Sequence, residues 1–219
     1  MKGNLSTKEL DAQRVMIIGA GNFGCKVAER LNEQKQARFT IVACDTDQSD
    51  LESTEVPNRL LLEAEPKSFV SQIIKKSVDY LCSDLVDITG KPFSTAFAVE
   101  PIRNLLTADI DTVIIVAGMG GACGTEAAAL IAHEAKAAGK RTTAVVSLPL
   151  RSEGEHRMEK ALKGIACLLP YVGELHVMNF ENKIDGNTIA ARAFDMTEEM
   201  MCEAVTKMAE PRLSSAKTL

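Results

Sequence analysis

The chain contains 219 residues, with 25 lysines and arginines against 30 aspartates and glutamates and a formal net charge of −5. This length is typical of one α/β domain with a large core, and an acidic balance without a block of like charges argues against nucleic acid as the main partner. No apolar run approaches the ~20 residues of a membrane span, and the first residues lack the apolar segment of a signal peptide, so we expect a cytoplasmic protein without a membrane span.

Five β-branched runs predict strands at 14–19, 38–44, 111–117, 142–147 and 174–178. Helical patterns separate most of them at the spacing of βαβ units. This alternation predicts a three-layer α/β fold, with a mostly parallel, Rossmann-like sheet and helices on both of its faces.

Three further helices are expected outside these βαβ units. Two of them fall near 69–82 and 99–106, with a loop at 90–92 between them. An apolar stripe with a spacing of three or four residues predicts a long helix over about 188–209, which closes a domain of residues 1–210. Residues 211–219 are polar and are expected to form a flexible tail.

Two of the strands run directly into glycine-rich segments. The first leads into Gly19–Gly24 (GAGNFG) and the third into Gly118–Thr125 (GMGGACGT), and a helical pattern follows each. Glycine allows the backbone to approach an anion closely, and the N–H groups at a helix start carry a partial positive charge. Two such junctions indicate a phosphorylated ligand, which we interpret as a nucleotide.

The first junction also fits the dinucleotide pattern G-x-G-x-x-G, and Asp45 follows about twenty residues later, where a ribose-binding acid would lie. Taken alone this favours NAD, so an NAD-binding oxidoreductase or sensor using Gly19, Gly21, Gly24 and Asp45 stays an alternative. A simple Rossmann domain does not predict the second glycine-rich segment, however. The sequence also offers no His–acid or Tyr–Lys pair that suggests hydride transfer.

Neither the cysteines nor the histidines form a pattern typical of a metal site. The six cysteines stand singly, and the three histidines lie far from one another in the sequence. We therefore expect no metal bound by Cys or His ligands and interpret most of the cysteines as small core residues.

Four segments together resemble the tubulin/FtsZ GTPase family. Gly118–Thr125 is similar to the family signature G-G-G-T-G-[ST]-G, and residues 18–24 are similar to its first phosphate loop. Residues 43–47 (ACDTD) resemble the Asn-Thr-Asp loop, and residues 148–158 resemble the segment P-F-x-x-E-G-x-x-R. Since order and spacing agree over most of the chain, it looks like a divergent form of the family's N-terminal nucleotide-binding domain.

The resemblance implies GTP or GDP lying across the C-terminal ends of the strands. Aspartates at strand ends that face a phosphate site are also common companions of Mg²⁺, which makes this ion a second candidate ligand. Phe194 would stack on the base. Glu198, one helical turn later, would read guanine, because a carboxylate accepts bonds from both N1–H and the 2-amino group. The complete set of implied binding residues is Gly19, Gly21, Asn22, Phe23, Lys26, Asp45, Asp47, Gly118, Gly120, Gly121, Ala122, Cys123, Gly124, Thr125, Glu153, Arg157, Phe194 and Glu198.

Several of these residues also have a purely structural interpretation. Glu153 and Arg157 are four residues apart and could form an exposed helical pair worth only ~0.3–0.5 kcal/mol. Phe194 could belong to the core, and Asp45 and Asp47 could close a turn.

The sequence departs from the family pattern within the signature. Cys123 replaces a threonine, Ala122 a glycine and Glu126 the last glycine, and Glu126 is expected to point away from a phosphate. Residues 61–66 contain two acids and no glycine where the γ-phosphate loop is expected. A nucleotide-free structural or interaction module is therefore a further alternative.

The family's catalytic acids come from a loop of the form N-x-D-x-x-[DE] that follows the long helix. The sequence ends soon after that helix, so we expect the second domain to be absent. Hydrolysis is then expected to be weak, absent, or dependent on self-association or a partner that supplies the acids.

Overall fold

A computed structural model describes residues 14–34, 39–63, 97–181, 183 and 190–209. The strands are β1 (Val15–Ala20), β2 (Phe39–Asp45), β3 (Asn58–Leu61), β4 (Thr112–Gly118), β5 (Arg141–Ser147) and β6 (Glu174–Met178). The helices are α1 (Gly21–Glu33), α2 (Gln48–Ser53), α3 (Glu100–Leu105), α4 (Ala122–Ala137), α5 (Glu155–Leu168) and α6 (Ala190–Ala209). Short 3₁₀ turns span Arg151–Glu153 and Leu169–Tyr171.

The six strands form one parallel sheet in the order β3-β2-β1-β4-β5-β6. The strand order reverses between β1 and β4, which pair with Ile18 beside Ile115. This is the doubly wound Rossmann-like arrangement that the alternation of strands and helices predicted. Ligands of such sheets bind outside the carboxyl ends of the strands at the point of reversal.

Both faces of the sheet are covered, which explains why its central strands are continuously apolar. All six residues of β1 are buried, and successive side chains enter opposite cores. Met16 and Ile18 join the core beneath α3, α4 and α5, whereas Val15 and Ile17 join the core beneath α1, α2 and α6.

The five predicted strands are confirmed, with ends that shift by at most one residue. The helix predicted at 99–106 is found as Glu100–Leu105, and the long helix predicted at about 188–209 is found as Ala190–Ala209. The helix near 69–82, the loop at 90–92 and the tail 211–219 lie outside the described residues. Among the helices that the structure describes, none is long and apolar enough to cross a membrane.

Candidate functional site

A cleft of about 420 Å³ opens at the carboxyl ends of β1 and β4, where the strand order reverses. Its floor is formed by the two glycine-rich junctions, and its sides come from the segment after β5 and from α6. Small-molecule sites commonly have volumes of ~300–1,000 Å³, so the cleft has room for a ligand of nucleotide size.

The first junction turns directly from β1 into α1. Gly21 begins the helix with φ +74°, and a Cβ at this position would lie 2.7 Å from the backbone nitrogen of Gly124. Only glycine fits both constraints without strain. The two glycine-rich segments therefore lie back to back at the bottom of the cleft.

The second junction forms a short loop between β4 and α4. Gly120 has φ +92°, and its N–H donates to the Thr125 hydroxyl over 2.8 Å. The Met119 N–H donates to the Ser147 carbonyl over 2.9 Å, which ties the loop to β5. By contrast, a Cβ at Gly121 would have only the Arg157 guanidinium within 4 Å, at 3.9 Å, so there is open space in front of this residue.

The N-terminal ends of α1 and α4 both face the cleft without a side-chain cap. Neither helix has an acidic residue in its first turn, and neither has a capping hydrogen bond from a side chain. The first N–H groups of a helix have no partner inside the helix, and they attract an anion. Lys26 adds a positive charge to the same cleft, and no ion pair engages it within the described part of the chain.

Asp45 lies at the end of β2 and is 4% exposed. Its Oδ1 accepts the Thr46 N–H over 2.6 Å and lies 3.3 Å from the Asp47 nitrogen. Its Oδ2 is buried and has no hydrogen-bond donor among the residues that the structure describes. Because Asp45 lines the cleft, this oxygen is an unused acceptor next to the two glycine-rich junctions, which we call the first and second cradle.

The Cys123 thiol lies beside Asp45 and Thr46. Burial, followed by the negative charge of Asp45, raises the pKa of Cys123 to about 11. The thiol is therefore protonated at neutral pH and acts as a weakly polar packing group rather than as a nucleophile. The backbone N–H of Cys123 is independent of that side chain.

Glu153 and Arg157 line the side of the cleft that follows β5. Glu153 Oε2 accepts from Arg157 Nη1 over 2.7 Å, and its Oε1 accepts the Leu150 N–H over 2.8 Å. Glu153 belongs to the 3₁₀ turn before α5, so the pair is not a simple pair on one helix. The glutamate fixes this turn, and the half-exposed arginine projects its charge towards the second cradle.

The third side of the cleft comes from α6. Phe194 is 41% exposed there, and Glu198 is 6% exposed one turn later. Arg30 of α1 donates from Nε to Glu198 Oε2 over 2.9 Å. Arg30 lies nine residues beyond Gly21, roughly 14 Å along the helix axis, so Glu198 lies far from the cradles.

Fourteen of the implied binding residues line this one cleft although they come from distant parts of the sequence. They are Gly21, Asn22, Phe23, Lys26, Asp45, Gly118, Gly121, Ala122, Cys123, Gly124, Glu153, Arg157, Phe194 and Glu198.

Four of the implied residues do not line the cleft. Gly19 lies against the Gly24 carbonyl beneath α1, and Gly120 and Thr125 bond to each other inside the second loop. Asp47 is exposed and accepts from the hydroxyl and N–H of Ser49, which lowers its pKa and caps α2. Glu126 also stays outside the cleft, with its carboxylate 3.8 Å from the Lys160 ammonium, so it points away as expected.

Sequence reasoning missed several residues of the cleft. Asp50 lies one turn into α2, where its carboxylate is 3.5 Å from the Asn22 amide. A capped helix start at Asp47 followed by an acid was the available signal for it. The other missed lining residues are Ala20, Met119, Ser147, Leu148, Pro149, Leu150, Phe180 and Thr197.

Comparison with known proteins identifies one family. Residues 14–185 match the Tubulin/FtsZ family, GTPase domain. The cell division protein FtsZ of Aquifex aeolicus (strain VF5) is 34% identical over 155 residues, covering 71% of this chain and 39% of that protein. Cell division protein FtsZ 1 of Pyrococcus woesei is 28% identical over 204 residues, covering 90% of this chain and 51% of that protein. The chain thus spans about half, or less, of the length of these relatives.

Solved structures share the fold. An empty FtsZ dimer from M. jannaschii superposes with a TM-score of 0.70 at 24% identity, covering 94% of this chain and 59% of that chain. CetZ1 from Haloferax volcanii, solved as a GDP-bound monomer, superposes with a TM-score of 0.66 at 17% identity, covering 90% of this chain and 60% of that chain. At these identities the structural likeness establishes a common fold and nothing finer.

Proposed function

The chain belongs to the tubulin/FtsZ family, and on this premise we propose that it binds a guanine nucleotide, GDP or GTP, in the cleft between β1 and β4. One observation carries the proposal. Two uncapped helix starts, both within glycine-rich junctions, converge at one end of a single cleft whose other end holds an exposed aromatic ring and a buried carboxylate. A nucleotide has the same division between an anionic end and an aromatic end.

The phosphates would be bound mainly by main-chain donors. The first N–H groups of α1 and α4 point at the cleft, and Gly121 leaves open space in front of them. Lys26 and Arg157 supply the cationic side chains of the same cleft. This arrangement suits a diphosphate, because it provides partial and full positive charges, and neither helix carries an acidic residue in its own first turn. An acid near the start of α1 is Asp50, whose carboxylate lies 3.5 Å from the Asn22 amide.

The base would lie against Phe194 and Glu198. Phe194 exposes its ring to the cleft, where a flat purine can stack on it. The Glu198 carboxylate can accept from N1–H and the 2-amino group of guanine. Adenine has no donor at either position, so this end of the cleft would favour guanine.

Asp45 fits the role of a Mg²⁺ ligand beside the phosphates. Its buried Oδ2 has no donor within the described ranges, and carboxylate oxygen is a preferred ligand of this ion. When bound, Mg²⁺ would neutralise phosphate charge. We expect Asp45→Asn, which preserves the shape of the side chain, to remove most of the gain in GTP affinity that Mg²⁺ gives the parent. Titration calorimetry with and without the ion measures this gain, and an unchanged gain would reject the role.

We further propose that hydrolysis is slow, absent, or dependent on acids supplied by a second copy or a partner protein. Both oxygens of Glu153 are engaged by Leu150 and Arg157, and Glu198 lies at the base end, so neither is free to activate a water near a terminal phosphate. Phosphate release measured over a range of protein concentrations tests this point. Fast, concentration-independent turnover would contradict it.

Titration calorimetry with GDP, GTP, ATP and NAD tests the central proposal. We expect both guanine nucleotides to bind and ATP and NAD to bind far more weakly. Tight binding of NAD with none of GDP would instead support the oxidoreductase or sensor alternative. Binding of no nucleotide, together with a purified protein that carries none, would support a structural or interaction module.

A further inference from the structure

Arg30 is the charged link between α1 and α6. Its Nε donates to Glu198 Oε2 over 2.9 Å, and its Nη2 donates to Asp195 Oδ1. Arg30 and Asp195 are 36% and 66% exposed, whereas the Glu198 side chain is only 8% exposed. The Arg30 guanidinium thus lies between the solvent and the buried Glu198 carboxylate and donates a hydrogen bond to that carboxylate.

The surroundings explain why such a link is needed. A depression next to the main cleft is lined by four acids, Glu29, Glu33, Asp195 and Glu198, and by only two cations, Lys26 and Arg30. The main cleft and this depression share Lys26, Phe194 and Glu198. Without Arg30, the Glu198 carboxylate would share this depression with three other acids and with Lys26 as the remaining cation, so the balance of charge would favour rotamers that turn it away.

Resting on the proposed binding of guanine, we propose that Arg30 is a positioning residue that sets base selectivity by fixing the Glu198 carboxylate at the edge of the cleft. A carboxylate has about four acceptor sites, and the hydrogen bond from Arg30 uses one of them on Oε2. The remaining sites serve the donors of the base. Sequence spacing gives no hint of this role, because Arg30 and Glu198 are 168 residues apart.

The 2-amino group of guanine distinguishes a well-placed Glu198 carboxylate from a displaced one. Inosine diphosphate (IDP) has the same ring and the same N1–H but lacks that group, so the ratio of GDP affinity to IDP affinity reports the placement of the carboxylate. Hydrogen bonds to charged groups contribute ~1.5–3 kcal/mol, so the parent should prefer GDP by about tenfold or more. Displacing Glu198 should reduce this ratio while leaving the phosphate contacts unchanged.

The experiment measures GDP and IDP affinities by calorimetry for the full chain and its variants. Arg30→Met retains the aliphatic stem and removes the charge, Arg30→Lys retains the charge, and both are also made in a Glu198→Ala background. Arg14→Ala is the control for loss of an arginine elsewhere, because Arg14 forms an exposed ion pair with Asp109 over 3.0 Å and does not line the cleft. Thermal melts report the stability of each variant.

We expect Arg30→Met to lower the GDP:IDP ratio about fivefold or more, Arg30→Lys to restore part of it, and Arg14→Ala to leave it unchanged. In the Glu198→Ala background, Arg30→Met should have no further effect on the ratio.

Equal weakening of both nucleotides would indicate a merely structural link and overturn the inference, as would a loss that persists without Glu198. If Arg30→Met does not fold, Arg30→Gln removes the charge in its place, and an Arg30→Gln ratio equal to that of the parent overturns the inference. A parent that binds GDP and IDP equally overturns the inference alone, whereas a parent that binds neither overturns the proposed function as well.

Discussion

Gly121→Asp should weaken nucleotide binding strongly without harming the fold. Gly121 precedes α4 with φ −75° and ψ 168°, a conformation open to any residue, and a Cβ there meets only the Arg157 guanidinium, at 3.9 Å. Aspartate is a preferred N-cap residue and is better than glycine by a few tenths of a kcal/mol. The substitution therefore stabilises α4 while it places a carboxylate where the phosphates would bind.

The expected loss of affinity follows from Coulomb's law. Two like charges ~4 Å apart at an effective dielectric constant of ~20 repel by about 4 kcal/mol. Arg157 lies close enough to offset part of this repulsion. A net loss of about 3 kcal/mol remains, which corresponds to a GDP affinity lowered roughly 100-fold.

Two further variants separate charge from capping. Gly121→Asn has the same shape and caps the helix, but it is neutral, so we expect a loss of only about tenfold from the competition for N–H groups. Ala138→Asp adds the same charge at the exposed far end of α4 and should leave the affinity unchanged. Calorimetry with GDP gives the affinities, and thermal melts verify folding. If a folded Gly121→Asp protein bound GDP with the affinity of the parent, the proposal that phosphates bind in front of Gly121 would be refuted.

Three other outcomes are expected. Glu198→Gln should shift preference from GDP towards xanthosine diphosphate in competition binding, because a glutamine amide donates to the C2 carbonyl of xanthine and accepts from N1–H. Burial alone would raise the pKa of Glu134, but hydrogen bonds, led by the one from Arg103, hold this pKa below its ordinary value of 4.5. The ionised Glu134 therefore stabilises the folded protein above pH 4.5, and this stabilisation is lost as the pH falls through the lower pKa of the folded state. Glu134→Gln should therefore lower Tm at pH 7 by about 4 °C and flatten its decline in acid, unlike Glu159→Gln at an exposed pair. With its pKa near 11, Cys123 should react with iodoacetamide at pH 7.5 at least ~100-fold more slowly than an ordinary thiol, and still more slowly with GDP present.

The sheet was predictable because its central strands are buried on both faces. Val15–Ala20 and Thr112–Gly118 are continuous apolar runs that end in glycine, a pattern that fixes both element type and strand end. β3 was not among the five predicted strands. It has only four residues, begins with Asn58 and Arg59, and lies at the sheet edge, so it lacks the apolar run that identified the others.

The site was predictable in its main-chain part and less so in its side chains. Glycine-rich junctions reveal themselves by composition, because few other residues adopt the backbone found at Gly21 and Gly120. The Arg30–Glu198 pair joins two helices that meet only in three dimensions, and periodicity on either helix marks such residues as ordinary surface charges. Asp47 is ambiguous for a related reason, since an acid after a strand serves equally well as a helix cap, and it caps α2 here.

Ala122 and Cys123, which replace a glycine and a threonine of the family signature, should affect nucleotide affinity less than the change of side chain suggests. A phosphate bound by N–H groups depends on backbone direction, and that direction is set by Gly21 against Gly124 and by Gly120 bonded to Thr125. The Cys123 thiol lies against Asp45 and so does not serve as a donor to phosphate, whereas the backbone N–H of Cys123 remains a donor. Exchange of signature side chains therefore removes single donors, whereas a charge or a bulky group in front of Gly121 removes the whole cradle. This asymmetry predicts that Cys123→Thr changes GDP affinity by less than about fivefold, against roughly 100-fold for Gly121→Asp.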